Sequence, residues 1–329
     1  MPSINVASAS LKDLRVSVII PAFNAAHFLP ETIASVRHQT RPVHEIIIID
    51  DGSKDDTEQI VGTLGKDIVY IKQNNAGVSA ARNRGISEAS GEFIALLDAD
   101  DLWLPNKIEK QLQVFIDHPD VALVATDRAD IDAQGARLLD SLFKQRGLYD
   151  FLSKLANTPI PQALSRLVQL NFIPTSSVML RNSALTEVGG FDPCIRYGED
   201  LDLWARMALR HAIVCIPEVL IHYRLHGNNA TQATENLLLD LVHVMKNIRT
   251  RCAETLNKEG INADKLVAQS LWDLGYWYFI SNQPFRAYKT FMESYKNNHS
   301  LRTLSYAQIS LLPPGVLGIL RRIKQKITN

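Results

Sequence analysis

Three acidic residues, Asp98, Asp100 and Asp101, follow directly on a short apolar run in the segment GEFIALLDADDLW. The run, Phe93 to Leu97, is too short to cross a membrane and predicts a strand buried on both faces. Neighbouring carboxylates repel one another unless a cation or hydrogen-bond donors compensate. Mg²⁺ in proteins is held by one or two carboxylates together with the phosphates of its substrate. The stretch therefore predicts a divalent metal site, and its alternative is a solvated turn before the helix that Pro105 opens.

A second pair of acids, Glu199 and Asp200, stands in the segment RYGEDLDLWARMAL. The apolar positions of this segment recur at helical spacing: Leu201, Trp204 and Ala208. This spacing places the two acids in the first turn of a helix, where the helix dipole favours an acid whatever its role. The same dipole keeps a carboxylate ionised, as a general base must be. The segment is thus either a plain helix start or the site of a base, and Asp202, which faces away, is predicted to be solvated.

The first half of the chain alternates short apolar runs with helical patterns. Residues 16–24 are predicted to be a strand that runs into a loop at Pro21, and the other predicted strands are residues 45–49, 68–71 and 93–97. This alternation predicts βαβ units, hence an α/β fold with a parallel sheet covered on both faces. Polar segments follow all four strands: Asn24, Asp50 with Asp51, residues 74–84, and Asp98 to Asp101. Since ligands bind beyond the carboxyl ends of such strands, these segments are expected to share one rim.

In this order and at these separations, SVIIPAFN, DDGS, NNAGVSAARNRG and LDADD resemble the nucleotide-sugar half of family 2 glycosyltransferases. The resemblance covers roughly residues 15 to 227. It implies a GT-A type nucleotide-sugar-binding fold with a mainly parallel central sheet, followed by an α-helical C-terminal region. The implied domains are a leader (1–14), a GT-A domain (15–230) with a nucleotide-sugar half (15–126) and an acceptor half (127–230), and a helical region (231–329). Residues 138–172 show no clear period.

The resemblance also implies donor contacts. The residues that match nucleotide-sugar-binding positions are Pro21, Ala22, Phe23, Asn24, Asp51, Arg82, Asp98 and Asp100. Asp51 matches the residue that accepts a hydrogen bond from uracil N3–H in UDP-using members. Arg82 matches a position near the base and phosphates, and the alternative is that it pairs with Glu88 or faces solvent. Either Ser53 or Asp55 is expected to cap the next helix.

The metal and the chemistry follow from the same resemblance. It implies Mn²⁺ or Mg²⁺ on Asp100, with Asp98 directed toward the ribose and Asp101 as a second ligand through water. The metal ligands are thus expected to be Asp100, Asp98 and His226. His226 stands where some GT-A enzymes have a metal-binding histidine, and the alternative is a loop residue without that role.

The aspartate of GED, Asp200, matches the general base of the family, and Glu199 would hold the acceptor or orient the loop. The implied reaction is inverting, metal-dependent transfer of a sugar, from a nucleotide-sugar of the UDP type, to a hydroxyl of a glycan or glycolipid in cell-surface polysaccharide synthesis. A sugar nucleotidyltransferase is one alternative, but PAFNAAHF lacks the Gly-rich basic phosphate loop usual there. A non-catalytic nucleotide-sugar-binding scaffold is another, but it would need neither DADD nor GED.

The C-terminal part of the chain has a helical composition. Residues 268–298 resemble one tetratricopeptide helical hairpin, which cannot bury its own faces and is expected to pack on the catalytic domain or to mediate oligomerisation. The last segment, PPGVLGILRRIKQKITN, joins a short apolar run to four basic residues and no acid. It predicts peripheral contact with an anionic membrane. The alternative is a helix C-terminus stabilised by basic residues.

Composition bounds the remaining possibilities. The 35 basic residues balance the 35 acidic residues, so nucleic acid is not expected as a partner. The cysteines Cys194, Cys215 and Cys252 show neither metal-ligand spacing nor a disulfide framework. The first residues lack the apolar core of a signal peptide, and no apolar stretch reaches the roughly 18 residues of a membrane span. We expect a cytoplasmic protein, at most attached to the cytoplasmic face of the membrane.

Overall fold

The computed structural model describes residues 14–226 and 234–312. The chain divides into two compact units, Met1–Ala230 and Thr231–Asn329. Most of the predicted leader and the basic C-terminal segment, 313–329, lie outside the described residues.

A mixed sheet forms the centre of the first unit, and the described residues contribute nine strands to it. The strands are β1 Val16–Ala22, β2 Glu45–Asp50, β3 Ile68–Lys72, β4 Phe93–Leu96, β5 Leu102–Trp103, β6 Val121–Asp132, β7 Arg137–Leu139, β8 Met179–Arg181 and β9 Ala212–Leu225. Their order is β3-β2-β1-β4-β8-β6-β9-β5, with β7 paired to β6. Strands β1, β2, β3, β4, β6 and β9 run in one direction, and β5, β7 and β8 run against them. The prediction of an α/β fold with a mainly parallel sheet is confirmed.

Helices cover the sheet and fill the connections. Those of the first unit are α1 Leu29–Arg37, α2 Thr57–Thr63, α3 Val78–Glu88, α4 Lys107–Asp117, α5 Leu142–Gln145, α6 Tyr149–Lys154, α7 Ala163–Gln169, α8 Asn182–Val188 and α9 Glu199–Arg210. Helices α5, α6 and α7 occupy the stretch in which the sequence shows no period. Each has at most seven residues, and left-handed residues at Ala156, Asn157 and Gln162 interrupt the chain between them. In helices this short the apolar positions recur too few times for a helical period to be recognised in the sequence.

The isoleucine-rich strands make the core that supports the rim. Ile19 and Ile20 of β1 and Ile47 to Ile49 of β2 are completely buried, since helices pack on both faces of these strands. Each such side chain contributes about 1.5–3 kcal/mol when it is fully buried. Gly85 lets α3 approach β1 so closely that a Cβ atom there would overlap the side chain of Ile19. The N-terminus of α3 is thereby held beside the end of β1.

The strand order also fixes where a ligand can bind. From β1 the chain adds β2 and β3 on one side, and then returns to place β4 on the other side of β1. The connections that leave the carboxyl ends of β1 and β4 therefore lead to opposite sides. A crevice remains between these two strand ends, and such a crevice is the usual ligand site of an open α/β sheet. PAFN begins in the last two residues of β1 and DADD follows β4, so both motifs border this crevice.

The described part of the second unit consists of helices. They are α10 Glu235–Lys258, α11 Ala263–Ile280, α12 Pro284–Asn297 and α13 Leu301–Ser310. Helices α11 and α12 form the hairpin at the tetratricopeptide-like residues, and a Cβ atom at Gly275 would lie 2.8 Å from a ring carbon of Phe291. Among the helices described in either unit, none is both long enough and apolar enough to cross a membrane.

Candidate active site

A cavity of about 580 Å³ opens at the carboxyl ends of β1 and β2. Its walls are the end of β1, the loop after β2, the start of α3 and the loop before α9. The lining residues are Pro21, Ala22, Phe23, Asp51, Asn75, Ala76, Gly77, Val78, Ser79, Ala81, Pro193, Ile195, Arg196 and Tyr197. The volume is within the range of about 300–1,000 Å³ that small-molecule pockets occupy. Four of the predicted donor-binding residues thus share one cavity.

Two of these four have properties suited to a nucleoside. Phe23 is 51% exposed although its side chain is large and apolar, so an aromatic side chain at the cavity is accessible to a ligand. Stacking of a base on such a side chain is worth about 1–3 kcal/mol in proteins that bind single-stranded nucleic acid. Pro21 and Ala22 lie at the end of β1, where their backbone approaches the same space. The residues of this wall are apolar, which suits the face of a base.

Asp51 is buried and holds the loop that leads into α3. Its Oδ1 accepts hydrogen bonds from Gln73 Nε2 at 2.7 Å and from the N–H of Ala76 at 2.8 Å. Its Oδ2 accepts the N–H of Gly77 at 2.8 Å. A carboxylate has about four lone-pair positions, and the bonds named here use three of them. Asp51 can therefore accept one more hydrogen bond, through Oδ2, from a ligand in the cavity.

Asn24 joins two loops instead of lining the cavity. Its N–H donates to Ser53 Oγ at 2.8 Å, and its Oδ1 accepts the N–H of Lys54 at 2.8 Å. The prediction that Ser53 caps α2 is wrong, because its hydroxyl is used by Asn24. Near the start of α2, Asp55 accepts the N–H of Thr57 at 3.1 Å instead. These bonds fix the PAFN and DDGS loops to one another.

Arg82 connects the two acid motifs. Its NH2 donates to Asp98 Oδ1 at 2.8 Å, and its NH1 donates to Glu199 Oε1 at 2.7 Å. The alternative pairing with Glu88 is wrong, since Arg84 makes that bond, at 2.8 Å across one helical turn. Arg82 is 3% exposed and does not line the cavity. A contact between Arg82 and the donor stays a prediction, whereas its observed contacts hold DADD beside GED.

The charges of this bridge compensate one another. Burial by itself would lower the pKa of Arg82, but the carboxylates of Asp98 and Glu199 raise it. Burial raises the pKa of Glu199, Arg82 opposes this effect, and the neighbouring Asp200 adds to it. Burial of a guanidinium between two carboxylates has a desolvation cost, and removal of one partner from such a buried ion pair is strongly destabilising. We therefore regard Arg82 as a positioning residue that keeps the two motifs at a fixed separation.

Asp100 and His226 meet at the other side of DADD. Asp100 Oδ2 lies 2.8 Å from His226 Nε2, and the ring of Phe28 stacks on His226 with the ring centroids 5.0 Å apart. Burial and then the charge of Asp98 raise the pKa of Asp100, and His226 opposes them. In the part of the chain that the structure describes, no three His, Cys, Asp or Glu side chains are grouped as a metal site of protein ligands alone would require. The expected set of three, Asp98, Asp100 and His226, is not grouped in this way, and Asp98 Oδ1 is bound to Arg82.

The pair that does form fits a metal that also binds its substrate. A carboxylate with an imidazole is an acceptable ligand set for Mn²⁺. Mg²⁺ likewise takes few protein ligands when substrate phosphates supply the others. Asp100 and His226 are consequently the two residues that would hold Mn²⁺ or Mg²⁺ together with a diphosphate.

Asp101 is a structural residue. It is completely buried, where its Oδ2 accepts the hydroxyl of Ser176 at 2.5 Å and its Oδ1 accepts the N–H of Arg224 at 2.9 Å. Burial, together with Asp100 and Asp98, raises its pKa well above the usual value. The prediction of a water-mediated metal ligand is wrong, because the turn after Asp98 directs Asp101 into the protein.

Asp200 lies in the first turn of α9, as the sequence predicts. Its Oδ2 accepts from Asn171 Nδ2 at 3.0 Å, and its Oδ1 accepts the N–H of Leu201 at 2.7 Å. Burial raises the pKa of Asp200, while Asn171 and the Leu201 N–H oppose this shift. A carboxylate with a raised pKa is a stronger base than a solvated one. The charge of Arg82 lowers the pKa of Asp200 and that of Asp98 raises it, so charges from both neighbouring motifs act on this carboxylate.

Asp202 is buried, so the prediction of a solvated side chain is wrong. It is 1% exposed, and its Oδ2 accepts from Arg206 Nε at 2.9 Å. Arg206 also donates to the carbonyl oxygens of Val188 and Gly190, both at 2.6 Å. The turn after α8 therefore covers this side of α9 and fixes the helix that carries Asp200.

The structure adds site residues for which sequence reasoning gave no role. Arg196 and Tyr197 line the cavity, and the signal that could have identified them is their position directly before GED. Asn171, which binds Asp200, lies in a stretch without periodicity and had no such signal. The loop that contains Arg196 and Tyr197 thus joins the cavity wall to the start of α9.

The central sheet is mainly parallel, and the buried Arg82 joins the DADD motif after β4 to the GED motif at the start of α9. Together with a cavity of nucleoside size, these features define a transferase of the GT-A type. Comparison with known proteins agrees with this class. The model of glycosyl transferase family 2 matches residues 17–184, and the chain belongs to this family.

Relatives support the assignment over most of the first unit. An uncharacterized glycosyltransferase of Rickettsia typhi is 32% identical over 228 residues, which are 68% of this chain and 68% of that protein. One from Rickettsia bellii is 34% identical over 70% of this chain, but the match spans only 32% of that longer protein. The putative teichuronic acid biosynthesis glycosyltransferase TuaG of Bacillus subtilis is 39% identical over 31% of this chain and 42% of its own length.

A solved structure shows the same fold. The crystal structure of S. aureus TarS 1-349 in complex with UDP-GlcNAc superposes with a TM-score of 0.65 at 18% sequence identity. The superposition covers 90% of this chain and 88% of that chain.

Proposed function

We propose that this protein is an inverting, metal-dependent glycosyltransferase that moves a sugar from a UDP-sugar to a hydroxyl of a glycan or glycolipid. The observation that carries this proposal is the Arg82 bridge. It holds Asp98, at the end of β4, and Glu199, next to Asp200, at 2.8 Å and 2.7 Å from one guanidinium. The bridge keeps the donor motif at a fixed separation from the helix turn that carries the candidate base, and a fixed separation supports transfer between two substrates.

The cavity supports a uridine nucleotide as the donor. Phe23 offers a stacking surface and Asp51 has a remaining acceptor position for an imide N–H, which a uracil base carries. Arg196 lines the same cavity and supplies positive charge for the diphosphate. The complex of TarS with UDP-GlcNAc is consistent with a UDP-sugar, and Asp98 would be directed toward the ribose.

Asp200 is the base in the proposed reaction. It removes the proton from the acceptor hydroxyl as that oxygen attacks C1 of the donor sugar, on the face opposite the leaving group. The bond between C1 and the acceptor oxygen forms while the bond between C1 and the phosphate oxygen breaks, and UDP leaves with that electron pair. Such a displacement inverts the configuration at C1 and needs no Ser or Cys nucleophile. Asn171 fixes the orientation of the Asp200 carboxylate during this step.

Asp100 and His226 would hold Mn²⁺ or Mg²⁺, which when bound neutralises the negative charge that develops on UDP. Glu199 orients the loop through Arg82. The acceptor is proposed to be a cell-surface polysaccharide or its lipid-linked precursor, in line with the name of TuaG. Cys194, Cys215 and Cys252 form no disulfide with one another, which favours a reaction in the reducing cytoplasm.

Release of UDP from UDP-sugars in the presence of Mn²⁺ tests the proposal, with and without an added glycan acceptor. The Asp200→Asn variant should bind UDP nearly as tightly as the wild type and lose about 10²–10⁴-fold in turnover, the usual contribution of a general base. Asp140→Asn, at a side chain that is 91% exposed, is the matched control and should retain full turnover.

Three results would overturn the proposal. Full turnover by Asp200→Asn rejects the base. UDP affinity that is equal with and without Mn²⁺ rejects the metal. Binding of UDP-sugars with no release of UDP under any acceptor condition favours a scaffold over an enzyme.

A further inference from the structure

The aromatic ring of Phe28 packs against side chains from the end of β9. It stacks on the imidazole of His226, with 5.0 Å between the ring centroids and 25° between the ring planes. The guanidinium carbon of Arg224 lies 5.2 Å from the centroid of the same ring. Phe28 is half-buried, and it lies outside the set of residues that line the cavity. Its contacts therefore concern the pair of Asp100 and His226 and not the nucleoside wall.

Helix α1 holds Phe28 in a fixed place relative to DADD. The carbonyl oxygen of Phe28 accepts the N–H of Thr32 at 3.1 Å, and the residue after Phe28, Leu29, is completely buried. Thr32 also donates its hydroxyl to the carbonyl oxygen of Ala99 at 2.9 Å. Ala99 is the residue between the first two acids of DADD. The helix that begins beside Phe28 is thus bound directly to the motif that contains Asp100.

Arg224 joins the same segments to the end of β9. Its NH2 donates to Glu31 Oε2 of α1 at 2.6 Å, and its Nε donates to the carbonyl oxygen of Asp100 at 3.0 Å. Its backbone N–H donates to Asp101 Oδ1 at 2.9 Å. The Arg224 side chain is 3% exposed. The end of β9, two residues before His226, is therefore held against both α1 and DADD.

The orientation of the His226 imidazole depends on the groups that touch it. His226 follows Leu225, the last residue of β9. Rotation of a histidine ring about its last side-chain bond is only weakly restricted by the backbone. Two groups restrict it here: Asp100 Oδ2, which lies 2.8 Å from Nε2, and the face of Phe28. Groups that orient a metal-binding histidine in this way raise the affinity of the site for its metal.

We propose that Phe28 is a positioning residue for the metal site, because its ring holds the His226 imidazole in the plane in which Nε2 is directed at Asp100. The inference rests on the proposed function, in which Asp100 and His226 hold Mn²⁺ or Mg²⁺. Phe28 acts through His226, so it should change the affinity of the protein for the metal and not its affinity for UDP alone.

Binding of Mn²⁺ to the full-length protein in the presence of UDP tests the inference. The loss of the EPR signal of free Mn²⁺ measures this binding, after correction for the Mn²⁺ that UDP binds by itself. A stacked aromatic pair has a strength that corresponds to about two- to tenfold in affinity. Phe28→Leu should therefore raise the Kd for Mn²⁺ about two- to tenfold. Phe28→Tyr, which keeps the aromatic face, should bind Mn²⁺ like the wild type.

Two controls accompany these variants. Phe285→Leu makes the same substitution at a side chain of the helical unit that is 74% exposed, and its Kd for Mn²⁺ should be unchanged. The affinity for UDP without metal, measured by calorimetry, should be the same for Phe28→Leu and the wild type.

A double-mutant cycle separates positioning from a general effect on the fold. In the His226→Ala background, Phe28→Leu should cause no further loss of Mn²⁺ affinity, because the residue through which Phe28 acts is absent. Urea unfolding measures the stability of each variant separately.

Three results would overturn the inference while leaving the proposed function intact. Phe28→Leu could bind Mn²⁺ as tightly as the wild type, Phe28→Tyr could lose as much affinity as Phe28→Leu, or the loss could persist without His226. UDP binding by the wild type that does not depend on Mn²⁺ is a different result. It rejects the metal in the proposed function, and the positioning role of Phe28 with it.

Discussion

Removal of the Arg82 guanidinium should destabilise the protein strongly and in a pH-dependent way. In the Arg82→Ala variant Asp98 and Glu199 lose their shared cation. The Asp98 side chain is 29% exposed and regains some solvation, whereas that of Glu199 is 12% exposed and stays buried. Loss of one partner of a buried ion pair costs about 3–5 kcal/mol. This is a large part of the roughly 5–15 kcal/mol by which domains are stable.

The pH dependence identifies the cause of the loss. Without Arg82, the effect of burial on Glu199 is unopposed, so its pKa in the folded state lies further above its value in the unfolded chain. Stability associated with the protonated form is then present below the unfolded pKa of about 4.3 and is lost as the pH rises through the folded pKa. The deficit of Arg82→Ala relative to the wild type should therefore be small near pH 4 and grow toward pH 7.

Urea unfolding from pH 4 to pH 8 measures this deficit. Arg84→Ala is the matched control on the same helix, because Arg84 makes an exposed pair with Glu88 and should cost no more than about 0.5 kcal/mol. Arg82→Lys keeps the charge but cannot reach both acids in the same geometry, so an intermediate loss is expected. A deficit that is the same at every pH, or no larger than that of Arg84→Ala, would refute the assignment of Arg82 as a compensated buried charge.

Three further predictions concern other parts of the molecule. Asn171→Ala should raise the pKa of Asp200 by removing a 3.0 Å hydrogen bond, so the acid limb of the kcat/KM profile should move to higher pH; an unchanged profile would contradict this role. Alkylation of the exposed Cys194 should slow when UDP is bound, because this residue stands between two cavity-lining residues. Mass spectrometry measures the alkylation rate, and a rate that UDP does not change would contradict the assignment of the cavity as the nucleotide site. Gly85→Ala should destabilise by about 1–3 kcal/mol in urea because its Cβ meets an isoleucine of β1. Gly62→Ala, in an open helical position, should stabilise by about 0.8–1 kcal/mol, and equal effects at the two sites would reject the close packing of α3.

The sequence alone determined the features that depend on neighbouring residues. Runs such as Ile46 to Ile49 are short and β-branched and so predict strands buried on both faces, and their alternation with helices predicts a parallel sheet. Since each polar motif follows its strand directly, the sheet direction was sufficient to predict that Asp51 and Asp98 lie at one rim. The spacing of the apolar positions in α9 likewise predicted that this helix begins near Glu199.

The tertiary structure decided which partner each polar group has. Arg82 and Arg84 stand two residues apart in one helix, yet Arg84 reaches Glu88 at the surface while Arg82 binds acids from β4 and α9. Asp101 turns inward to Ser176 although its neighbour Asp100 faces His226. The spacing of residues along the chain does not show which distant segment covers a side chain, and that covering segment sets both the burial and the available donors. The cavity wall at Arg196 and Tyr197, and the contact of Asn171 with Asp200, arise in the same way from segments that meet only in the folded protein.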